Sequence, residues 1–187
     1  MAATGFVFRG ASNMTVLTTP RLLLQPFDDH HLDGLRLLNT DLQVMRYVTG
    51  RAETPEETAA LIARVKASWM ELGHSWWAFI DRATGQLIGS GCIQHIQRDP
   101  ANPLEIGWRL LPAVWGKGYA SEAALAMAGF AFEVLAAPQL VAVCHQENLD
   151  SAKVMQKLGM TYRGIERWYN TDTTVYGMHR EEWFSRQ

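Results

Sequence analysis

The order strand, glycine loop, helix, strand between Leu104 and Gln146 constrains the fold of this chain more than any other feature. "PLEIGWRLL" is typical of a strand, and a helix that is apolar nearly all round is predicted from about Tyr119 to Leu135. "QLVAVCHQ" lacks polar alternation, as expected of a strand buried on both faces. Two strands joined by a helix run parallel with a right-handed crossover. The segment therefore predicts a mixed α/β domain around a central sheet.

The clearest single helix signal lies nearer the N-terminus. Thr54 is the expected N-cap, Pro55 takes the first helical position, Glu57 completes a capping box and Gly73 ends the helix. The helical spacing predicts a buried face made of Leu61, Val65, Trp69 and Leu72.

The other segments complete the element order. Around this helix, the patterns predict a strand at Arg21–Gln25, a helix capped by Asp28 or Asp29 with a short continuation, and a hairpin of "SWWAFID" and "GQLIGSGCIQHI". After the crossover come a helix, "NLDSAKVMQKLG", and two strands, "MTYRGIERWY" and "TTVYGMHREEWF", with a turn at Asn170–Asp172. The predicted order is β-α-α-β-β-β-α-β-α-β-β, in one domain over residues 14–187, with residues 1–13 as a flexible leader or a non-native remnant.

Composition excludes several classes of function. The 187 residues carry 17 basic and 19 acidic side chains, a net charge of −2, and no Lys/Arg-rich run, so nucleic-acid binding is not expected. No apolar run approaches the roughly 20 residues of a membrane span. Cys92 and Cys144 form no disulfide framework, which favours a cytoplasmic protein. The six histidines are scattered, so no metal site is expected.

The loop "LPAVWGKGYASEA" is an expected anion site, because glycines expose backbone N–H groups and the following helix N-terminus carries partial positive charge. A nucleotide P-loop is excluded, since Pro112 stands where its first glycine belongs and Gly118 follows the lysine. A dinucleotide fingerprint fails at Ser121, where its third glycine belongs. The remaining alternatives are a tight packing turn and the pyrophosphate loop of an acyl-CoA-dependent enzyme.

With its flanking motifs, the loop resembles that of the GNAT superfamily of N-acetyltransferases, in particular the ribosomal-protein branch of RimJ/RimL type. The resemblance rests on "EIGWRLLPAVWGKGYASEA", on "ENLDSAKVMQKLGM" and on the opening "LTTPRLLLQPF", and runs from about Thr15 to Phe184. Trp115, Gly118 and Ala120 fall on the positions of the family pattern Gln/Arg-x-x-Gly-x-Gly/Ala. Trp115 departs from it as the Rim-like branch often does. The resemblance implies a GNAT fold, an α/β mixed sheet of about seven strands flanked by about four helices.

The resemblance also implies a site for acetyl-CoA, the cosubstrate. The pyrophosphate is expected on the loop, and the pantetheine and the reaction's oxyanion on the preceding strand. Asn148 is expected to act near the pantetheine, although it is equally a good N-cap for the helix after it. The implied cofactor-binding residues are Trp108, Arg109, Leu110, Leu111, Trp115, Gly116, Lys117, Gly118, Tyr119, Ala120, Ser121 and Asn148.

Two residues are implied as catalytic. Glu105, on the strand before the loop, is implied as the general base, acting directly or through water, ahead of Glu147 and Glu166. Ser151 is the expected acid for the leaving thiolate, because the tyrosine that many relatives use there is Met155 in this chain.

The acceptor is expected to be a primary amine. At pH 7, deprotonating a lysine amine costs about 4.6 kcal/mol, whereas an α-amine costs about 1 kcal/mol. A carboxylate base therefore suits a peptide N-terminus. A small-molecule amine (polyamine, amino acid or antibiotic) and a non-catalytic acyl-CoA sensor remain alternatives, and a homodimer is possible.

Overall fold

Eight strands form one mixed sheet in the computed structural model, which describes residues 14–186. The segment 1–13, expected to be a leader, lies outside the described residues. The strands are β1 (Leu17–Thr18), β2 (Leu22–Pro26), β3 (Trp76–Asp81), β4 (Leu87–His95), β5 (Leu104–Leu110), β6 (Gln139–His145), β7 (Thr161–Trp168) and β8 (Thr171–His179). Their order across the sheet is β1-β2-β3-β4-β5-β6-β8-β7. The seven predicted strands are confirmed. The two-residue β1 was not predicted, because it is too short for a periodic signal.

The sheet is antiparallel except between β5 and β6. The parallel pairing predicted for this crossover is confirmed, but it consists of one register pair, Glu105 with Val141. On its other side, β5 pairs with β4 along its whole length, from Leu104 opposite His95 to Leu110 opposite Gly89. The two halves of the sheet therefore separate beyond Glu105. No register shift occurs at Gly107, so the β4–β5 ladder runs through it without a bulge.

Six α-helices accompany the sheet within residues 14–186. They are α1 (Leu32–Thr40), α2 (Leu42–Met45), α3 (Pro55–Leu72), α4 (Tyr119–Gly129), α5 (Leu149–Leu158) and α6 (Arg180–Phe184). A 3₁₀ turn capped by Asp28 leads into α1, as predicted. In α3 the Thr54 and Glu57 capping box is present, and Gly73 ends the helix at a φ of 71°.

Three predictions differ from the structure in detail. Leu72, in the last turn of α3, is 45% exposed. Ile62, which was not predicted, is buried because it lies at helical spacing from Val65 and Trp69 on the same face. The final strand ends at His179 instead of continuing, since a capping box of His179 and Glu182 starts α6. The preceding turn lies at Tyr169 and Asn170, both with positive φ, slightly before its predicted position.

The crossover helix is buried as its all-round apolar pattern predicts. Helix α4 continues into a π-helical turn at Phe130–Val134. The Phe130 ring packs edge-on against Trp77, whose ring in turn meets Trp69 of α3 at a centroid distance of 4.9 Å. Helices α3 and α4 thus share one aromatic core against the sheet. The N-terminus of α4 is thereby fixed beside the carboxyl end of β5.

Candidate active site

A cavity of about 720 Å³ opens where β5 and β6 separate. One wall is the last part of β5, and the facing wall is formed by β6 and the start of α5. Because the strands pair only at Glu105, the cavity reaches between them into the sheet itself. Of the fourteen residues predicted for catalysis or cofactor binding, twelve line this cavity and two, Leu111 and Lys117, do not.

The backbone of β5 presents hydrogen-bond donors to the cavity. The Leu111 N–H donates to the Ile88 carbonyl across the β4 side at 2.9 Å, so this amide is already paired. Successive amides along a strand point in opposite directions. The N–H groups of Trp108 and Leu110 therefore point away from β4, toward the gap left by β6. Two amides in one line can hydrogen-bond an extended chain as a missing strand would.

The loop after β5 has the geometry of an anion site. Gly116 and Gly118 adopt φ angles of 73° and 82°, a left-handed conformation that glycine accepts without strain. Gly118 is the N-cap of α4, and no side chain caps the helix. The first-turn N–H groups of Tyr119, Ala120 and Ser121 have no partner within the described chain and lie at the positive end of the helix dipole. The Lys117 ammonium instead donates to the Ala113 carbonyl at 2.9 Å.

The loop is held to the N-terminal strands by Arg21 and Glu122. The Glu122 carboxylate accepts from the Arg21 Nε at 2.6 Å, from the Arg21 backbone N–H at 2.8 Å and from the Thr19 hydroxyl at 2.6 Å. Arg21 also donates to the Lys117 carbonyl at 2.8 Å and lies 4.2 Å from the Tyr119 ring centroid. Burial opposes the ionisation of Glu122, but the bonds from Thr19 and Arg21 lower its pKa below the ordinary value. Together these contacts preform the loop.

Asn148 caps α5, which was the structural alternative for this residue. Its side-chain oxygen accepts from the Ser151 N–H at 3.2 Å. Asn148 and Ser151 both line the cavity, and within residues 14–186 no protein group hydrogen-bonds the Ser151 hydroxyl. Met155, one turn further along, is buried and also lines the cavity. Among the α5 side chains that line the cavity, Ser151 carries the one hydroxyl, and it lies at the position expected for the acid.

Glu105 lies at the inner end of the cavity and is buried. Burial raises its pKa from 4.5 to about 7, against hydrogen bonds from Tyr169 and Gln94 that lower it. The Tyr169 hydroxyl donates a short hydrogen bond to the Glu105 carboxylate and accepts from the Gln97 N–H at 3.1 Å. Burial next to Glu105 raises the pKa of Tyr169 further above its ordinary value. The carboxyl group is therefore set to exchange a proton near neutral pH.

Tyr169 is not among the residues predicted for the site. It is separated from Glu105 by 64 residues in sequence, and it lies in the β7–β8 turn with a φ of 52°. No local motif signals such a contact.

The remaining part of the cavity lies on the face of the sheet that carries Glu105, Gly107 and Arg109. Here the Trp76 indole N–H donates to the Gln94 side-chain oxygen at 3.0 Å. The Arg109 guanidinium lies 5.2 Å from the Trp76 ring centroid. The α2 segment and the residues after it cover this region with Gln43, Val44, Tyr47 and Val48.

No three His, Cys, Asp or Glu side chains in residues 14–186 are grouped so that they could hold a metal ion. Within the same range, no helix is long and apolar enough to cross a membrane.

Replacing Glu122 with Ala should weaken CoA binding about three- to tenfold, because the preformed loop would lose its link to Arg21. Electrostatics alone predicts the opposite, since the change removes a negative charge near the site for an anion. Calorimetric titration with CoA measures the effect. Glu56→Ala, a first-turn glutamate of α3 outside the cavity, is the control; equal or tighter binding by Glu122→Ala would refute the role of this link.

The raised pKa of Glu105 makes the stability of the fold depend on pH, and this dependence can be measured without an acceptor substrate. The folded protein binds a proton on Glu105 more tightly than the unfolded chain, so wild-type stability falls as pH rises from about 4.5 to about 7. The free energy of unfolding of Glu105→Gln, relative to that of the wild type, should therefore increase by about 2–3 kcal/mol between pH 4.5 and pH 8. Urea unfolding at both pH values measures this difference. A pH-independent difference would contradict the raised pKa.

The comparisons with known proteins agree with this geometry. Residues 21–161 match the family profile "Acetyltransferase (GNAT) domain". The "Uncharacterized N-acetyltransferase YnaD" of Bacillus subtilis (strain 168) is 30% identical over 175 residues, which are 89% of this chain and 98% of that protein. The FsC-acetyl coenzyme A-N(2)-transacetylase of Aspergillus fumigatus is 29% identical over 192 residues, covering 91% of this chain and 79% of that protein.

Solved structures show the same fold. An acetyltransferase from Agrobacterium tumefaciens str. C58 aligns with a TM-score of 0.77 and 29% identity, over 95% of this chain and 99% of that one. RimL, a ribosomal L7/L12 α-N-protein acetyltransferase solved with coenzyme A, aligns at a TM-score of 0.73 with 18% identity, over 88% and 97%. The second likeness is one of fold. With the profile matching most of the chain, these findings show that the chain belongs to the GNAT family and is an acetyl-CoA-dependent N-acetyltransferase.

Proposed function

We propose that this enzyme transfers the acetyl group directly from acetyl-CoA to a primary α-amine, with Glu105 as general base. The observation that carries the proposal is the buried Glu105 carboxyl at the inner end of the cavity, with a pKa of about 7. An α-amine has a pKa of about 7.7–8.0, so proton transfer from its ammonium to Glu105 is close to isoenergetic. The same proton transfer from a lysine ammonium would cost about 4–5 kcal/mol. The match in pKa therefore favours an α-amine.

The donor is proposed to lie along the β5 side of the gap. The CoA pyrophosphate would accept from the first-turn amides of α4, where the loop from Trp115 to Ser121 supplies a preformed anion site. The pantetheine would pair with the Trp108 and Leu110 amides as an extended chain, bringing the thioester toward Glu105. Of the predicted set, Leu111 and Lys117 fit least, because the first has its amide paired and the second binds Ala113.

The proposed reaction consists of proton transfer, attack on the thioester and loss of the thiolate. Glu105 takes one proton from the ammonium, and the neutral nitrogen attacks the thioester carbonyl carbon, forming the C–N bond. Backbone N–H groups of β5 stabilise the oxyanion. The C–S bond breaks as the intermediate collapses, and the departing thiolate takes a proton from the Ser151 hydroxyl. Ser151 is reprotonated with the second proton of the nitrogen, and Glu105 releases its proton to solvent.

The relatives' names support more than one acceptor. RimL is described as an α-N-protein acetyltransferase, which favours a peptide N-terminus. The Aspergillus relative is named for transfer to N(2) of FsC, which keeps a small-molecule amine as the alternative.

Glu105→Gln should lower kcat at pH 7 by about 10²–10³-fold, because the complex loses its base. In the wild type kcat should rise with pH through an apparent pKa near 7, and the variant should lose this limb. Steady-state rates of acetylation of N-terminal peptides between pH 5.5 and 9 measure both effects.

Glu147→Gln and Glu166→Gln, the alternatives weighed from sequence, are the controls and should keep the wild-type profile. Unchanged rates for Glu105→Gln would remove this residue from the mechanism.

Ser151→Ala should lower kcat about tenfold or more, since the thiolate would leave unprotonated. Ser151→Thr keeps the hydroxyl and should retain most of the rate, which separates loss of the acid from disturbance of the α5 cap. If Ser151→Ala keeps full kcat, the serine is not the acid.

A further inference from the structure

Arg109 is a buried cation without a counterion. It is 8% exposed, and no carboxylate in residues 14–186 lies within 4 Å of its guanidinium. Burial lowers its pKa, and Glu53 opposes this from a distance, while the Glu53 carboxylate itself accepts from Asn39 at 2.8 Å. A buried charge that is not paired is costly. The chain keeps such a charge on a wall of its active-site cavity.

The hydrogen bonds of Arg109 leave part of its guanidinium open. Its Nε donates to the Ser90 hydroxyl at 3.1 Å, and one terminal nitrogen approaches the Met45 sulfur at 3.4 Å, a weak acceptor. The other terminal nitrogen has no acceptor among the described residues. Arg109 lies opposite Ser90 of β4 and two residues before Leu111, whose N–H donates to β4. The backbone N–H and C=O of Arg109 therefore also point to β4. The atoms of Arg109 that line the cavity are therefore those of its side chain.

Four side chains follow one another along this wall. The Arg109 guanidinium lies over the Trp76 ring, the Trp76 indole N–H binds Gln94, and Gln94 hydrogen-bonds Glu105. Glu105 and Arg109 are four residues apart on the same face, which separates their Cα atoms by about 13 Å along the strand. Glu105, the proposed base, and Arg109, the unpaired cation, thus lie at opposite ends of a cavity wall, with Trp76 between them.

We infer that the acceptor amine carries a carboxylate, and that Arg109 binds it while Glu105 receives the amine. The inference rests on the proposed function and names the substrate class of that site. A planar guanidinium matches a carboxylate with two parallel hydrogen bonds, and a bound carboxylate supplies the missing counterion. The proposed pyrophosphate site at α4 leaves this side chain free, because Arg109 is held back between Ser90 and Met45. The separation from Glu105 favours acceptors in which several bonds separate amine and carboxylate.

The test uses acceptor pairs that differ only by carboxylate or carboxamide. One arm pairs Ser-Asp-Gly-amide with Ser-Asn-Gly-amide, and the other pairs the free-acid and amide forms of an otherwise neutral dipeptide. A third arm pairs the α-amide of glutamate with the α-amide of glutamine, two small α-amines that differ only by a side-chain carboxylate or carboxamide. For each pair, kcat and KM are measured, and binding to the CoA-loaded protein is followed by calorimetry. The arms distinguish a side-chain carboxylate, a chain terminus and a free small molecule as the source.

The wild type should prefer the carboxylate member of at least one pair by about tenfold to a hundredfold in kcat/KM, mostly through KM. Arg109→Met should abolish this preference, and Arg109→Lys should restore part of it. Arg36→Met, an exposed arginine on α1 outside the cavity, should keep the full preference. CoA titration and thermal unfolding verify that each variant is folded. If Arg109→Met does not fold, the test rests on the carboxylate preference of the wild type and on its reduction in Arg109→Lys.

The outcomes separate this inference from the proposed function. Turnover without any carboxylate preference, or a preference that survives in Arg109→Met, overturns the role of Arg109 and leaves the transferase proposal intact. Arg109-dependent binding of carboxylates without turnover of any amine supports Arg109 and overturns the proposed acceptor chemistry. Absence of carboxylate preference in both binding and turnover overturns the inference.

Discussion

The single register pair between β5 and β6 is the constraint on which the rest of the site depends. A strand inside a sheet normally has both edges paired, and an unpaired buried amide costs about as much as a lost hydrogen bond. Here β5 is fully paired with β4 and almost unpaired on its other edge, so its Trp108 and Leu110 amides open into the cavity. The sheet can leave this gap because its two halves are each held by long antiparallel ladders. We propose that an extended, amide-bearing ligand, the pantetheine, pairs with these two amides.

The two sides of β5 take different parts of the reaction. We propose that its unpaired edge faces the donor and that the α4 N-terminus at its carboxyl end holds the anionic part of the donor. Its side chains Glu105 and Arg109 project from one face toward Trp76 and α2, where the acceptor is proposed to lie. Burial acts on both charged groups, raising the pKa of Glu105 and lowering that of Arg109. In the proposed mechanism, one strand therefore carries the amine's proton acceptor, the oxyanion donors and the anchor of the acceptor.

How far the sequence predicts this protein depends on the range of each interaction. The Thr54 and Glu57 cap of α3 is local, and the sequence located it correctly. The glycine loop and the parallel crossover were also predictable, because left-handed glycines and a buried helix between two strands leave strong local patterns. Leu72 was predicted to be buried but is exposed in the last turn of α3. Helix α6 was missed because its N-cap, His179, is also the last residue of β8. The contact of Tyr169 with Glu105 joins residues far apart in sequence, and no local pattern encodes it. Arg109 was predicted only as part of a donor-binding strand, since a strand's pattern does not reveal whether a charge inside it has a partner.

A crystal structure of the protein with CoA tests the central claim most directly. We expect the pantetheine amides to pair with the backbone of Trp108 and Leu110, the pyrophosphate to accept from the first-turn amides of α4, and the sulfur to lie at the Glu105 end of the gap. A CoA molecule bound outside the gap between β5 and β6, or one whose sulfur points away from Glu105, would contradict the account.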